Sequence, residues 1–172
     1  MKKTIRMLVA CVLLGGGCAT RPFVSAAGHR LVVLDHGIYV SQLHERLPHD
    51  NFTSGGVRIR KNYVLQKQTR DVPATPGTRF GFRYIIDPSD SSREVPVTVQ
   101  WFFPSPGLTN PKTGRRDRMN KVTYNAPTKE DLLVDYGFDH AWECVPGTWE
   151  FRLLVDGHVA IQEKFLVHRP KE

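Results

Sequence analysis

The first stretch with metal-ligating side chains is "HERLPH", running from His44 to His49. A zinc-protease helix places two histidines four apart, so that both reach one ion from a single helical face. Here they are five apart, about 500° around a helix of 3.6 residues per turn, and Pro48 interrupts any helix between them. The stretch reads as a loop with two histidines. A site built from His36, His44 and His49 is the remaining metal arrangement, and the tight geometry that metals require argues for plain surface histidines instead. Asp87, Asp90 and Glu94 in "DPSDSSRE" offer oxygen ligands without the regular alternation of a calcium loop, so that segment reads as a polar hairpin turn. No G-x-S-x-G elbow places a serine nucleophile, and "SPG" at Ser105 reads as a turn entering a loop. No glycine-rich phosphate cradle occurs. The chain therefore offers no catalytic set, and no cofactor or metal is expected.

The stretch best suited to binding is the long connection over residues 104–118, which at fifteen residues exceeds the usual loop length. It carries Lys112, Arg115, Arg116 and Arg118, with Lys121 just beyond. Arginine suits carboxylates and phosphates because its planar fork donates paired hydrogen bonds. Anionic lipid headgroups, cell-wall polymers or an acidic protein partner all fit that chemistry. The alternative is a solvated loop partly paired with Asp117. Tyr136, Phe138, Trp142 and Trp149 crowd a second segment. They read as core rings, with Tyr136 pinning a corner, rather than as a stacking platform for a sugar or peptide. Asp139 and Glu143 are expected to satisfy nearby backbone groups.

Basic Lys2, Lys3 and Arg6 precede an apolar run of eight residues from Met7 to Leu14, whereas a spanning helix needs about 20. The run suits the h-region of a signal peptide. With the small residues that follow, "LLGGGCAT" resembles a bacterial lipoprotein signal, although Gly15 stands where that signal usually has leucine. The resemblance implies a signal peptide over residues 1–17, a diacylglycerol on Cys18, and a tether over residues 18–30. Leu8-Val9-Ala10-Cys11 fits locally but leaves almost no apolar run ahead of it. Cleavage after Ala19 or Ala27, giving a soluble periplasmic protein, is the alternative. By the same resemblance, Ala19 after the cysteine points to the outer membrane, facing the periplasm. Cys144 is then the remaining cysteine and reads as a small packed hydrophobe; an unmodified Cys18 would allow a Cys18–Cys144 bridge.

The formal net charge of the whole chain is +7; without Lys2, Lys3 and Arg6, 21 basic residues face 17 acidic ones, a net of +4. So mild an excess gives no reason to expect nucleic acid. Around the candidate sites, apolar residues alternate with a period of two. Phe80, Phe82, Tyr84 and Ile86 share one strand face, with Arg79 and Arg83 opposite. Val95, Val97, Val99, Trp101 and Phe103 repeat the pattern, and Pro96 suggests an edge or a strand start. Trp149, Phe151, Leu153 and Val155 follow, and then Val159, Ile161, Phe165 and Val167. Weaker candidates lie over residues 31–40, 57–67, 119–124 and 132–134. With Pro/Gly/Asp/Ser-rich turns between them, these segments predict an all-β domain over residues 31–172, an immunoglobulin-like antiparallel β-sandwich of seven to eight strands. Asp156-Gly157 invites a two-residue turn, but that register splits the apolar face. A loop of Val155-Asp156-Gly157, pairing Leu153 with Val159 and Phe151 with Ile161, is therefore expected.

"GTRFGFRY", "PGLTNPKTG" and "YGFDHAWECVPGTWEF" resemble the signature stretches of a bacterial domain-of-unknown-function family of exported proteins. The resemblance spans roughly residues 68–167 and implies a β-sandwich in a cell-envelope setting, with no activity to carry over. The expectation is a lipid-anchored binding or accessory module. The alternatives are a hydrolase of envelope polymers, which needs a cleft with converging acids or histidines, and a structural subunit, which needs a long free strand edge.

Overall fold

Alternating sequence folds as strands, and a computed structural model of the chain describes residues 22–48 and 52–170. Twelve strands form among them. In chain order they are β1 (Phe23–Val24), β2 (Arg30–Pro48), β3 (Gly56–Gln68), β4 (Asp71–Pro73), β5 (Arg79–Asp87) and β6 (Glu94–Phe102), then β7 (Leu108–Thr109), β8 (Arg116–Asp117), β9 (Met119–Pro127), β10 (Leu132–Gly137), β11 (Gly147–Val155) and β12 (His158–His168). One sheet has the order β1-β2-β5-β10 with β3 also on β2; the other runs β4-β12-β11-β6-β9, and β7 pairs with β8 alone. All pairings are antiparallel except β4 with β12. The count exceeds the expected seven to eight because several two- and three-residue strands leave no alternation to read. No helix among the described residues is long and apolar enough to cross a membrane.

The two sheets face each other through the apolar sides that the alternation marks. Phe80, Phe82, Tyr84 and Ile86 on β5 are fully buried, and Val95, Val97 and Val99 on β6 and Trp149, Phe151 and Leu153 on β11 join them. Full burial of each such side chain stabilises by about 1.5–3 kcal/mol. The opposite side of β5 is not bare. Arg83 pairs with Asp35 on β2 and, at 3.3 Å, with Asp131, while the Tyr39 hydroxyl donates to Asp35 at 2.6 Å. The Arg83 hydrogen bonds hold the Asp35 carboxyl below the usual aspartate range, against the opposing effect of burial.

Several local expectations change in the folded chain. Asp156 and Gly157 do form a two-residue turn, with φ of 52° and 75° and Val155 opposite His158. A bulge in β12 at Ala160 then restores the apolar face, so Leu153 meets Ile161 and Phe151 meets Glu163. Val159 is left 42% exposed rather than in the core. The mismatch is absorbed within the strand, and Asp-Gly keeps the turn it prefers. Glu163 takes an inward alternate position on β12 because Arg70 meets it at 2.9 Å. Pro96 lies on an interior strand, but β11 pairs with β6 only from Val97 onward, so its missing N–H faces no partner there. "DPSDSSRE" is no hairpin turn; it carries the chain from one sheet to the other. The segment 18–30, expected to be a tether, contributes β1, which pairs Phe23 with Leu31 and Val24 with Arg30.

The largest departure is at residues 37–68. Beyond Ile38, β2 leaves β5 and continues paired only with β3, making a two-stranded arm. At its root Gly37 pairs with both Gln68 and Gly81, and a Cβ there would lie 2.0 Å from the Lys67 carbonyl oxygen. Only glycine lets the three strands converge. The "HERLPH" residues up to Pro48 therefore belong to β2 rather than to a loop, and His49 lies outside the described residues.

Candidate functional site

The expected loop over residues 104–118 is a built hairpin. Leu108 pairs with Asp117 and Thr109 with Arg116, and Leu108 is fully buried, which anchors the element in the core. The Asn110 amide N–H donates to the Arg115 carbonyl at 2.9 Å and the Gly114 N–H to the Asn110 carbonyl at 2.8 Å, while the Asn110 side chain accepts from the Lys112 N–H at 2.9 Å. Residues 111–116 are exposed. Lys112, Arg115 and Arg116 lie on this hydrogen-bonded hairpin, and Arg118 follows it directly. Arg116 donates to the Thr109 hydroxyl at 3.0 Å, and Arg115 turns back to Asp117 at 2.6 Å. The Phe103 N–H, bonded to the Arg118 carbonyl at 2.9 Å, fixes the backbone where the hairpin rejoins β9.

The tip of the arm docks on this hairpin. The Thr53 hydroxyl donates to the same Asp117 oxygen at 2.7 Å, and the Asn110 side-chain amide donates to the Thr53 carbonyl at 2.9 Å. Thr53 also lies 3.3 Å from the Asn120 side-chain oxygen. A hydroxyl has one proton to give, and here it goes to Asp117. Turning the buried Asn120 amide over lets its otherwise unpartnered nitrogen donate to Thr53 and completes a chain from Asn120 through Thr53 to Asp117. Beside it, Phe52 packs edge-on against Trp101, with ring centroids 5.7 Å apart. Asp117 is therefore the shared carboxylate of two basic elements.

Two small hollows lie beside the arm. One of about 90 Å³ is lined by Phe52, Ser54, Arg79, Trp101, Asp135 and Glu143. The other, about 310 Å³, has Tyr39, Ser41, Arg79, Phe138 and Asp139 among its walls. Arg79 borders both and pairs with Asp135, whose carbonyl accepts from the Trp101 indole at 3.0 Å. A general acid needs a carboxyl pKa raised toward neutrality. Asp35 and Asp90 move the other way, Asp90 because it accepts from Ser92. Among the described residues no three His, Cys, Asp or Glu side chains gather where they could hold a metal. His36 is half-buried on β2, and burial lowers its pKa.

The crowded aromatics are core. Phe138 and Trp149 are buried, as is Tyr136, and Trp149 lies within 5.7 Å, ring to ring, of Phe80, Phe103, Tyr136 and Phe138. Trp142 is half-buried and stacks on His140. Buried Glu143 pins the corner after β10. It accepts from the Tyr136 hydroxyl at 3.0 Å and from the backbone N–H groups of Asp139 and His140 at 2.7 and 2.8 Å. Cys144 is free and half-buried; burial and the neighbouring Glu143 raise its thiol pKa, which disfavours the reactive thiolate. Cys18 lies outside the described residues. Neither Thr53 nor the Arg79–Asp135 pair stands out in sequence, since each acts through residues more than fifty positions away.

The fold is similar to that of an immunoglobulin-like protein from Pseudomonas aeruginosa known from a crystal structure, with a TM-score of 0.57 at 20% identity, over 88% of this chain and 100% of that one. That likeness, together with the two stacked sheets, makes the domain an immunoglobulin-like β-sandwich. No curated protein matches the sequence. The sequence pattern of a family described as a domain of unknown function (DUF3859) matches residues 29–167, which span both sheets, the arm and the basic hairpin, and the chain belongs to that family.

Proposed function

We propose that this protein is a non-catalytic binding module of the cell envelope, anchored by a diacylglycerol on Cys18, that takes anionic groups on the β7–β8 hairpin. The observation that carries the reading is the hairpin itself. Lys112, Arg116 and Arg118 are exposed on an element whose backbone is fixed by buried Leu108 and by Asn110, and binding groups on a rigid support lose little freedom when a ligand arrives. The anchor rests on the signal-like sequence before Cys18. Phe23 stands only five positions after Cys18, so a lipid there would hold the sandwich within about 18 Å of the bilayer.

Cys18→Ser should move the protein from the membrane fraction to the soluble one or leave it unprocessed, since a diacylglycerol supplies the two chains that stable attachment takes. An unmodified mature N-terminus at Thr20 or Gly28, read by mass spectrometry, would remove the anchor from the proposal. For the hairpin, the protein from Ala19 to Glu172 keeps β1 and every described residue. In it, replacing Arg115, Arg116 and Arg118 with Ser should weaken binding to envelope fragments about tenfold at 0.1 M salt, taking roughly 0.5 kcal/mol per exposed charge. The thermal midpoint should stay nearly unchanged. Binding by the unaltered protein should also fall as salt rises, because screening shortens the reach of these charges. Equal binding by both proteins at low and high salt would reduce the hairpin to a solvated connection.

A further inference from the structure

The hollow of about 310 Å³ lies where β2 parts from β5 at the root of the arm. Ligand clefts run from about 300 to 1,000 Å³, so this one suits a single small molecule. Its walls carry both charges. Arg79 brings a guanidinium whose side chain is 9% exposed, with one terminal nitrogen paired to Asp135. A guanidinium has five N–H donors in a planar fork, so donors remain beyond that pair. It lies so close to Gly137 that a Cβ there would come within 2.3 Å of its other terminal nitrogen, and the bare backbone gives the fork its place. Asp139 brings a carboxylate and Ser41 a hydroxyl. The frame behind these groups is fixed. The Phe138 N–H donates to the Thr78 carbonyl at 2.9 Å and the Gly77 N–H to the Phe138 carbonyl at 2.6 Å, while Glu143 accepts from the Asp139 N–H at 2.7 Å. Groups held in this way lose little freedom when a ligand arrives.

We propose that this hollow binds a small zwitterion with a carboxylate, an ammonium group and a short apolar tail, as a free aliphatic amino acid has. The carboxylate goes to Arg79, whose fork matches its geometry, and the ammonium group to Asp139. Val40 lines the hollow and is 50% exposed. It stands opposite Val64, itself 60% exposed, and this apolar pair receives the tail. Other ligand classes fit less well. A sugar ring stacks on an open aromatic face, and the rings of Tyr39 and Phe138 are 2% and 1% exposed. A plain anion such as phosphate meets Asp139 in the wall and Asp135 behind Arg79, and like charges repel it. A ligand with both charges finds a partner for each. The site is separate from the basic hairpin and does not rest on the reading of it.

The test is calorimetric titration of the full-length chain with leucine, with isocaproate, which lacks the ammonium group, and with isoamylamine, which lacks the carboxylate. Leucine should bind about tenfold more tightly than either, because each analogue gives up one charge-assisted contact. Asp139→Asn should weaken leucine binding about tenfold and leave isocaproate binding undiminished. Val40→Ser, at an exposed position, should weaken binding of leucine but not of glycine, with the thermal midpoint nearly unchanged. The hairpin variant with Ser at positions 115, 116 and 118 should bind leucine as the unaltered protein does, so this inference and the hairpin reading fail separately. No detectable binding of leucine overturns the proposal, and leucine bound no more tightly than both analogues overturns the zwitterion. Leucine binding untouched by Asp139→Asn and by Val40→Ser overturns the site. If Asp139→Asn lowers the thermal midpoint, Val40→Ser and the ligand series still decide.

Discussion

Trp149→Ala is expected to cost about 3–5 kcal/mol, a large share of the roughly 5–15 kcal/mol that holds a domain together. Trp149 is fully buried, and Phe80, Phe103, Tyr136 and Phe138 surround its ring at centroid distances between 4.9 and 5.7 Å. These neighbours come from both sheets and from the corner after β10, so no single element can move inward to fill the space. The cost therefore includes the cavity as well as the lost transfer free energy. The indole N–H also donates to the Val145 carbonyl at 2.9 Å, which ties β11 to the turn before it. Trp149→Phe keeps most of the ring contacts and loses that bond, and should cost about 1–2 kcal/mol. Urea unfolding of the two variants measures both. A Trp149→Ala midpoint corresponding to less than about 1 kcal/mol would mean that the aromatic cluster does not hold the sheets together.

The second large effect belongs to the Arg79–Asp135 pair, whose side chains are 9% and 20% exposed. Asp135→Ala removes the carboxylate that pairs with a largely buried guanidinium in the wall between two hollows, and removing one partner of a buried pair costs about 3–5 kcal/mol. Arg79 has little room to swing away, because it lies against Gly137 so closely that a Cβ there would be 2.3 Å from its terminal nitrogen. Asp135 is the more exposed partner, so Arg79→Met should cost less than Asp135→Ala. The double variant Arg79→Met, Asp135→Leu should recover much of the loss, since apolar residues of similar volume replace buried pairs at little cost. Purely additive effects of Arg79→Met and Asp135→Leu, each measured singly and then together, would show that the pair is not coupled.

The sequence by itself determined the sandwich. The alternation through β5, β6 and β11 marks the faces that meet, because the side-chain period of a strand is two and burial on one side writes itself directly into the chain. The buried aromatics and the pinned corner at Tyr136 were legible for the same local reason. Only the tertiary structure decided the rest. The turn at Asp156-Gly157 depends on a bulge at Ala160 that no local pattern distinguishes from a longer loop. Residues 104–118 read as a loop because their order comes from Leu108 entering a core that other strands build. The arm shows the limit most clearly. Its tip is held by a hydrogen bond from Thr53 to Asp117 and another from Asn110 to Thr53, across 64 and 57 residues of chain. Composition and periodicity act over the length of one strand. The meeting of two basic segments at one carboxylate is a property of packing, set by where the sheets place their ends.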